Sequence, residues 1–366
     1  MPTIAIDASS AEKTQRTGVE EYSFQIIERI KERAIMGDNR LVLYSHKTLP
    51  WLFKRFWLQA RVTWELFRRP PDVFFVPGQA LPFFIFKKIK VFTTIHDLGF
   101  IRRPDLYPSV EVRRQKAATK RAAKRADIIF VPSEFTKKEL MEIYRVKPEK
   151  IVVTPEAADT TRFKVMSREA VEAVINKYRL GYKNYFLFIG RVEAKKNPTV
   201  LISAFTELKK RMGFGDPLRL VFAGSPGYRF QEVKKMVDGS LYKDFFVSLG
   251  YTSAEDLPAL INGALALLVP SWYEGFGLTL LEGAACGTPV AASDIPAHRE
   301  VMNEAVYFVP PQEPEHWVTA LNNLVREPKD IYEFSAKGQA QVKLFSWDKT
   351  ADQTWQSLTN YGKLEK

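Results

Sequence analysis

Residues 270–290 read PSWYEGFGLTLLEGAACGTPV. The preceding ALALLVPS (264–271) is a short apolar run, so the stretch reads as a strand, a WYEGFG turn and a helix that Gly287 stops. Gly275 and Gly277 let the backbone come close to a ligand, and amides around Gly277, Leu278 and Thr279 open the helix as an anion site. Two acids flank this turn. Glu274 precedes the helix, and Glu282 lies about one turn inside it. Carboxylates in an apolar setting are costly unless something compensates them. Two readings follow: a surface turn residue with a solvated helix position, or two carboxylates gripping a polar ligand.

Outward from this unit the same grammar recurs. TIAIDAS (3–9), LVLYS (41–45), DVFFVP (72–77), KVFTTIHD (90–97) and ADIIFVPS (126–133) are candidate strands in the first half. YFLFIG (185–190), LRLVFAGS (218–225), FFVSLGY (245–251), TPVAAS (288–293) and AVYFVP (305–310) are candidates in the second. Helical patterns separate them, as at 20–33, 110–126 and 198–212. Strands alternating with helices predict parallel βαβ units, and two successive halves predict two Rossmann-like, doubly wound α/β domains facing a central cleft. The expected boundaries are 1–170, 171–345 and a last helix, 346–366, returning to the first domain. In such sheets ligands gather beyond the carboxyl ends of the strands, so the residues just after each strand carry the chemistry.

Composition sets the class. The 366 residues are 46% hydrophobic and 26% charged, which describes a folded chain of two ordinary domains. A single cysteine, Cys286, excludes an internal disulfide framework. The start, MPTIAIDASS, has no basic region before a long apolar core, and a cytoplasmic location is expected. Residues 51–150 hold 22 Lys and Arg against 10 Asp and Glu, so this segment accounts for the whole formal charge of +12. Such a bias points to an anionic partner or to a solvated face. Within it, WLFKRFWLQARVTWELFRR (51–69) interleaves aromatics with bases, a pattern suited to the inner face of a membrane. The alternative is that Phe53, Trp57 and Trp64 pack as one helix face. Nucleic acid is not expected, because no helix-turn-helix, zinc or RNA-sheet signature is present.

YFLFIGRVEAKKN sets Gly190, Arg191, Lys195 and Lys196 at a strand end, where a guanidinium and an ammonium suit a diphosphate. GRVEAKKN followed by PSWYEGFGLTLLEGAACGTPVAASDIPAHREV closely resembles the retaining glycosyltransferases of family 4, which have the GT-B fold. The pair of glutamates with seven residues between them is that family's signature. TGVEEY (17–22), FTTIHDLGF (92–100), ADIIFVPSEFTKKEL (127–140), VVTPEAADTTRF (152–163) and FSWDKTADQT (345–354) agree with it, so the likeness covers nearly the whole chain.

The resemblance implies roles. Arg191 and Lys196 hold the donor diphosphate and stabilise the leaving group. Glu274 contacts the transferred sugar, and Glu282 the nucleotide ribose. Backbone at Gly190, Gly275, Phe276, Gly277, Leu278 and Thr279 binds sugar and phosphate. Gly18 lies near the donor phosphates or the acceptor, and His96 faces the sugar across the cleft. Many relatives carry a second glycine where this chain has Glu20. Sugar would move with retention and without a metal, and no cofactor is expected beyond the nucleotide-sugar. The four histidines, His46, His96, His298 and His316, lack metal-ligand spacing.

TIHDLGFIRRPDLYP most resembles mannosyl- and rhamnosyl-transferring members, which makes GDP-mannose the first expected donor, with a glycan or lipid-linked acceptor. UDP-glucose, UDP-N-acetylglucosamine and a sugar-nucleotide 2-epimerase of the same fold stay open. A pyridoxal-dependent phosphorylase is a further class, recognisable by its yellow cofactor.

Overall fold

A computed structural model describes residues 2–37, 39–51, 56–326 and 328–361. Phe53 and the final residues 362–366 of the expected last helix lie outside the described residues. The chain forms two α/β units. The first holds six strands: β1 (Thr3–Asp7), β2 (Arg40–Tyr44), β3 (Val73–Val76), β4 (Lys90–Thr94), β5 (Ile128–Val131) and β6 (Ile151–Val153). They are parallel and ordered β2-β1-β3-β4-β5-β6. The second holds β7 (Tyr185–Ile189), β8 (Arg219–Ala223), β9 (Phe246–Gly250), β10 (Ala266–Val269), β11 (Val290–Ser293) and β12 (Tyr307–Val309). These are also parallel, in the order β12-β11-β10-β7-β8-β9.

Central strands read as unbroken apolar runs because helices cover both faces of a parallel sheet. VFFV, IIFV and ALLV are buried at every position. In the second unit, Tyr185 and Leu187 of β7 join one core with Leu267 and Leu281, while Phe186 and Phe188 join another with Leu201 and Trp317. Alternate side chains of one strand therefore fill opposite layers.

Helix Pro198–Met212 follows from its sequence. Proline opens it, Leu201, Ala204, Phe205 and Leu208 line its buried face, three bases occupy the last turn, and Gly213 ends it. Strand β6, three residues long, is not among the strands expected from the sequence.

The unit boundaries differ from those expected. The second unit comprises Arg103–Pro108 and Ala157–Phe345, and the first takes the remainder, including the chain from Ser346 onward. Residues 157–170 go with the second unit because Ala158 and Phe163 are buried in its core. Arg103–Pro108 joins it as well, with the Arg103 guanidinium 4.8 Å from the Trp272 ring. Helix Trp347–Asn360 packs on helix Gly18–Ile35 of the first unit, where Arg33 pairs with Asp352 at 2.6 Å and Tyr22 faces Trp347.

Candidate active site

The order of the second sheet reverses between β7 and β10, and the residues after these neighbouring strands form the site. Beyond β7 the chain runs through Gly190 and Arg191 to a short helical turn, Ala194–Lys196. Beyond β10 it runs through Ser271 and Glu274 to helix Leu278–Ala285. Two backbone features join these loops to their neighbours. Trp272 N donates to Lys195 O at 3.0 Å. A Cβ on Gly224, at the end of β8, would sit 1.8 Å from Gly190 O, so only glycine allows that approach.

Glu274 is the centre. Only 9% of the residue is exposed. Its Oε1 accepts from Lys196 Nζ at 2.5 Å and from Ser271 Oγ at 2.7 Å, and Lys195 Nζ lies 3.9 Å from Oε2. Burial alone would raise its pKa, but the attraction of Lys196 and Lys195, then His298, outweighs burial and holds it at about 2. It is therefore an anion at neutral pH.

Gly277 starts the helix with φ +112° and no side-chain cap. A Cβ there would meet the His298 ring and the Leu280 side chain at 3.0 Å. The first amides of a helix have no partner inside it, so this bare start presents donors at the mouth of the turn. Gly275 and Phe276 are buried beside it, and the Phe276 ring packs on Phe345. Leu278, Thr279 and Glu282 are half-buried along the helix. Burial, then the Glu282 charge, pushes the Cys286 thiol up to about 12, which leaves it unreactive.

Arg191 does not join Lys196. Its side chain is exposed and lies 3.5 Å from Glu193. His96 and Gly18 belong to the first unit. His96, just past β4, sets Nδ1 3.3 Å from Glu156 Oε1 and packs edge-on against Tyr22. In a neutral ring, a carboxylate at that distance favours the tautomer with the proton on Nδ1 and Nε2 as the acceptor. That Nε2 is buried and makes no hydrogen bond among the described residues. Gly18 is exposed with open space around it. Glu20 acts locally. Its carboxylate accepts from Thr17 N at 3.0 Å and pairs with Lys13 at 2.6 Å, closing a capping box.

Sequence reasoning gives no role to three partners, Glu156, Ser271 and His298. Glu156 and Ser271 lie in the quoted segments VVTPEAADTTRF and PSWYEGFG, but nothing in the pattern marks them as partners. Lys195 is visible in the lysine pair, but its partner is not. His298 enters the sequence reading only as one of four histidines that lack metal-ligand spacing. It is fully buried, and Nδ1 lies 2.9 Å from the Ser293 carbonyl, which can only accept. Burial, despite the pull of Glu274, pushes its pKa down to about 4, so the ring is neutral. Among the described residues, no group of three or more His, Cys, Asp or Glu is placed to hold a metal.

A basic pair held on a carboxylate at a switch point, with uncapped amides beside it, suits a sugar diphosphate. Comparisons agree. The model for "Glycosyl transferases group 1" matches residues 172–341, and that for "Glycosyltransferase Family 4" matches residues 26–162. The chain belongs to the family 4-like, group 1 glycosyltransferases.

Among curated relatives, the O-antigen chain mannosyltransferase B of Escherichia coli is 28% identical over 80% of this chain and 76% of its own length. The D-inositol 3-phosphate glycosyltransferase of Rhodococcus erythropolis is 32% identical over 59% of this chain, which spans about half of that relative. The crystal structure of Anabaena HepE in complex with UDP and glucose superposes with a TM-score of 0.74 at 14% identity, covering 98% of this chain and 100% of that one. This glycosyltransferase therefore has the two-domain GT-B fold.

Proposed function

We propose that this glycosyltransferase moves a hexose, with retention and without a metal, from a nucleotide-diphosphate sugar to a hydroxyl of a glycan or lipid-linked acceptor in polysaccharide or glycolipid synthesis. The observation that carries the reading is Glu274 held between Lys195 and Lys196 at the carboxyl ends of β7 and β10. GDP-mannose is the first donor to test, supported by the mannosyltransferase named above.

In this reading the two lysines serve both the carboxylate and the incoming diphosphate. Arg191, exposed and only loosely paired, swings onto the phosphates, and the amides at Gly277, Leu278 and Thr279 receive them. Glu282 accepts from the ribose hydroxyls. Bond cleavage leaves the electron pair on the diphosphate oxygen, where Lys196 stabilises it as positive charge develops on the sugar. The acceptor oxygen attacks the anomeric carbon on the leaving-group side, and its proton passes to the departing phosphate. Glu274, with Oε1 already accepting from both Lys196 and Ser271, is a poor nucleophile; it supports positive charge and takes sugar hydroxyls. His96, its tautomer set by Glu156, accepts from a sugar hydroxyl through Nε2.

A second reading concerns the acceptor: the relative acting on D-inositol 3-phosphate favours a small phosphorylated polyol. The test is a metal-free thermal-shift screen against GDP, UDP, ADP, dTDP and their sugars. A nucleotide at 100 times its dissociation constant adds about 2.7 kcal/mol. Stabilisation by one diphosphate, lost in Glu282→Ala, is expected. NMR of the product's anomeric configuration tests retention, and incubation with donor alone separates transfer from 2-epimerisation. A folded protein indifferent to every nucleotide overturns the reading.

A further inference from the structure

Four sequence segments that are remote along the chain meet at one imidazole, and the transfer reading uses only His96 and Glu156 among the residues they bring. TGVEEY supplies Tyr22, FTTIHDLGF supplies Thr94 and His96, VVTPEAADTTRF supplies Glu156, and FSWDKTADQT supplies Trp347. All five belong to the first unit, where Tyr22, Thr94, Glu156 and Trp347 are buried. The Tyr22 ring stands across the His96 ring, with centroids 4.7 Å apart and planes at 83°. Its other aromatic neighbour is the Trp347 ring, at 6.0 Å and 59°. The Tyr22 hydroxyl lies 3.1 Å from Thr94 Oγ1, at the end of β4 and two residues before His96.

One polar contact does not fix an imidazole. Glu156 Oε1, 3.3 Å from Nδ1, holds a single atom of the ring and favours a tautomer. The torsion that turns a histidine ring is broad and roughly two-fold, so the plane can still rotate and carry Nε2 with it. A T-shaped aromatic neighbour supplies the missing restraint, because such pairs favour one mutual tilt. Tyr22 is itself held, with Trp347 beside its ring and Thr94 at its hydroxyl. Phenylalanine would fill the same core space, and a buried hydroxyl is costly unless it is bonded. Here the bond goes to the strand that carries His96.

From this geometry we propose that Tyr22 is a positioning residue: opposite Glu156, it fixes the plane of the His96 imidazole and so aims Nε2. It does not touch the sugar, since Tyr22 is only 1% exposed and its hydroxyl is bonded to Thr94. The assignment rests on the transfer reading for what Nε2 does, and not for how the ring is held.

Long-range proton–nitrogen NMR spectra of the full chain read both ring nitrogens of His96, and His96→Gln identifies its signals among the four histidines. In alkaline buffer one protonated and one unprotonated nitrogen are expected, well separated. Tyr22→Leu draws the two together as the ring turns and the tautomers mix. The same variant lowers kcat at least about tenfold in a sugar-transfer assay, with the donor KM moving less than about twofold. Tyr22→Phe keeps the ring and loses the hydroxyl, and Thr94→Val removes its partner; each broadens the His96 signals and lowers kcat about threefold. Ile26→Ala, one turn further along the same buried helix face, controls for packing and leaves both readouts at wild type. A folded Tyr22→Leu with wild-type His96 signals overturns the proposal, and so does Ile26→Ala moving them as far. If Tyr22→Leu does not fold, wild-type signals in both Tyr22→Phe and Thr94→Val overturn it. Signals that move while kcat does not would uphold the positioning and overturn the role given to His96 in transfer. Moved signals in a protein that ignores every nucleotide would overturn the transfer reading alone.

Discussion

Two clusters of positive charge in this chain obey opposite rules. Around Glu274, two lysines converge on a buried carboxylate in a space that admits little water. On the first unit, a larger number of bases stand apart in solvent around exposed aromatic rings. Buried charge is expensive, survives only when paired, and so records a geometry. Exposed charge costs little, needs no partner, and acts as a screened field. The first cluster should fail when one atom is removed; the second should fade with each charge and with salt.

The largest expected effect is at the buried pair. Lys196→Ala strands the Glu274 charge, and a fall of roughly 100-fold or more in kcat/KM is expected in a sugar-transfer assay. The same variant should lose about 3 kcal/mol of stability in urea unfolding, whereas Lys124→Gln should lose none that can be measured. Equal effects from the two would dissolve the contrast.

Glu156→Gln tests whether the first unit also contains a built, buried pair. At least about a tenfold loss of kcat with a displaced pH profile is expected, because the amide no longer enforces one imidazole tautomer. Rescue by Glu156→Asp would support positioning over mere packing. Gly277→Ala should cost about 1–3 kcal/mol, since φ +112° is strained for alanine and its Cβ meets His298. A thermal-shift titration should show weaker nucleotide binding in the same variant.

The smallest effect is in the pH dependence of stability. His298 has its pKa lowered to about 4 in the folded protein from an ordinary 6.5, so the unfolded chain binds the extra proton first. Stability should therefore fall as pH drops through the window from 6.5 to 4, by about 0.7 kcal/mol between pH 7 and 6. Glu274, depressed from 4.5 to about 2, adds a separate loss only below pH 4.5. Melting temperatures of His298→Phe across pH 3–7 should lack the first slope and keep the second.

The sequence carried most of this architecture because parallel strands buried on both faces leave apolar runs, and turns leave glycine. GFG before LTLLEG could scarcely be anything other than a strand–turn–helix, and the helix at Pro198–Met212 falls where its spacing predicts. Glu274 and the lysines after β7 were legible for a related reason: they lie within a few residues of a strand end, whereas Glu282, inside the helix, stood out through the family resemblance. What the sequence could not express is distance. Arg191 and Lys196 are five residues apart, yet one is exposed and the other sits on Glu274. Glu156 is 60 positions from His96, and His298 lies a whole strand beyond Gly277.

Composition and pattern, then, determined two doubly wound units, a phosphate-suited turn and a strongly basic first half. Only the tertiary structure decided which charges are paired, where the units divide at Glu156 and Ala157, and that the exposed rings of Trp64, Phe67 and Phe86 lie side by side. The reason is physical. Backbone preference is local and can be read along the chain, whereas desolvation depends on which remote segments come to cover a group.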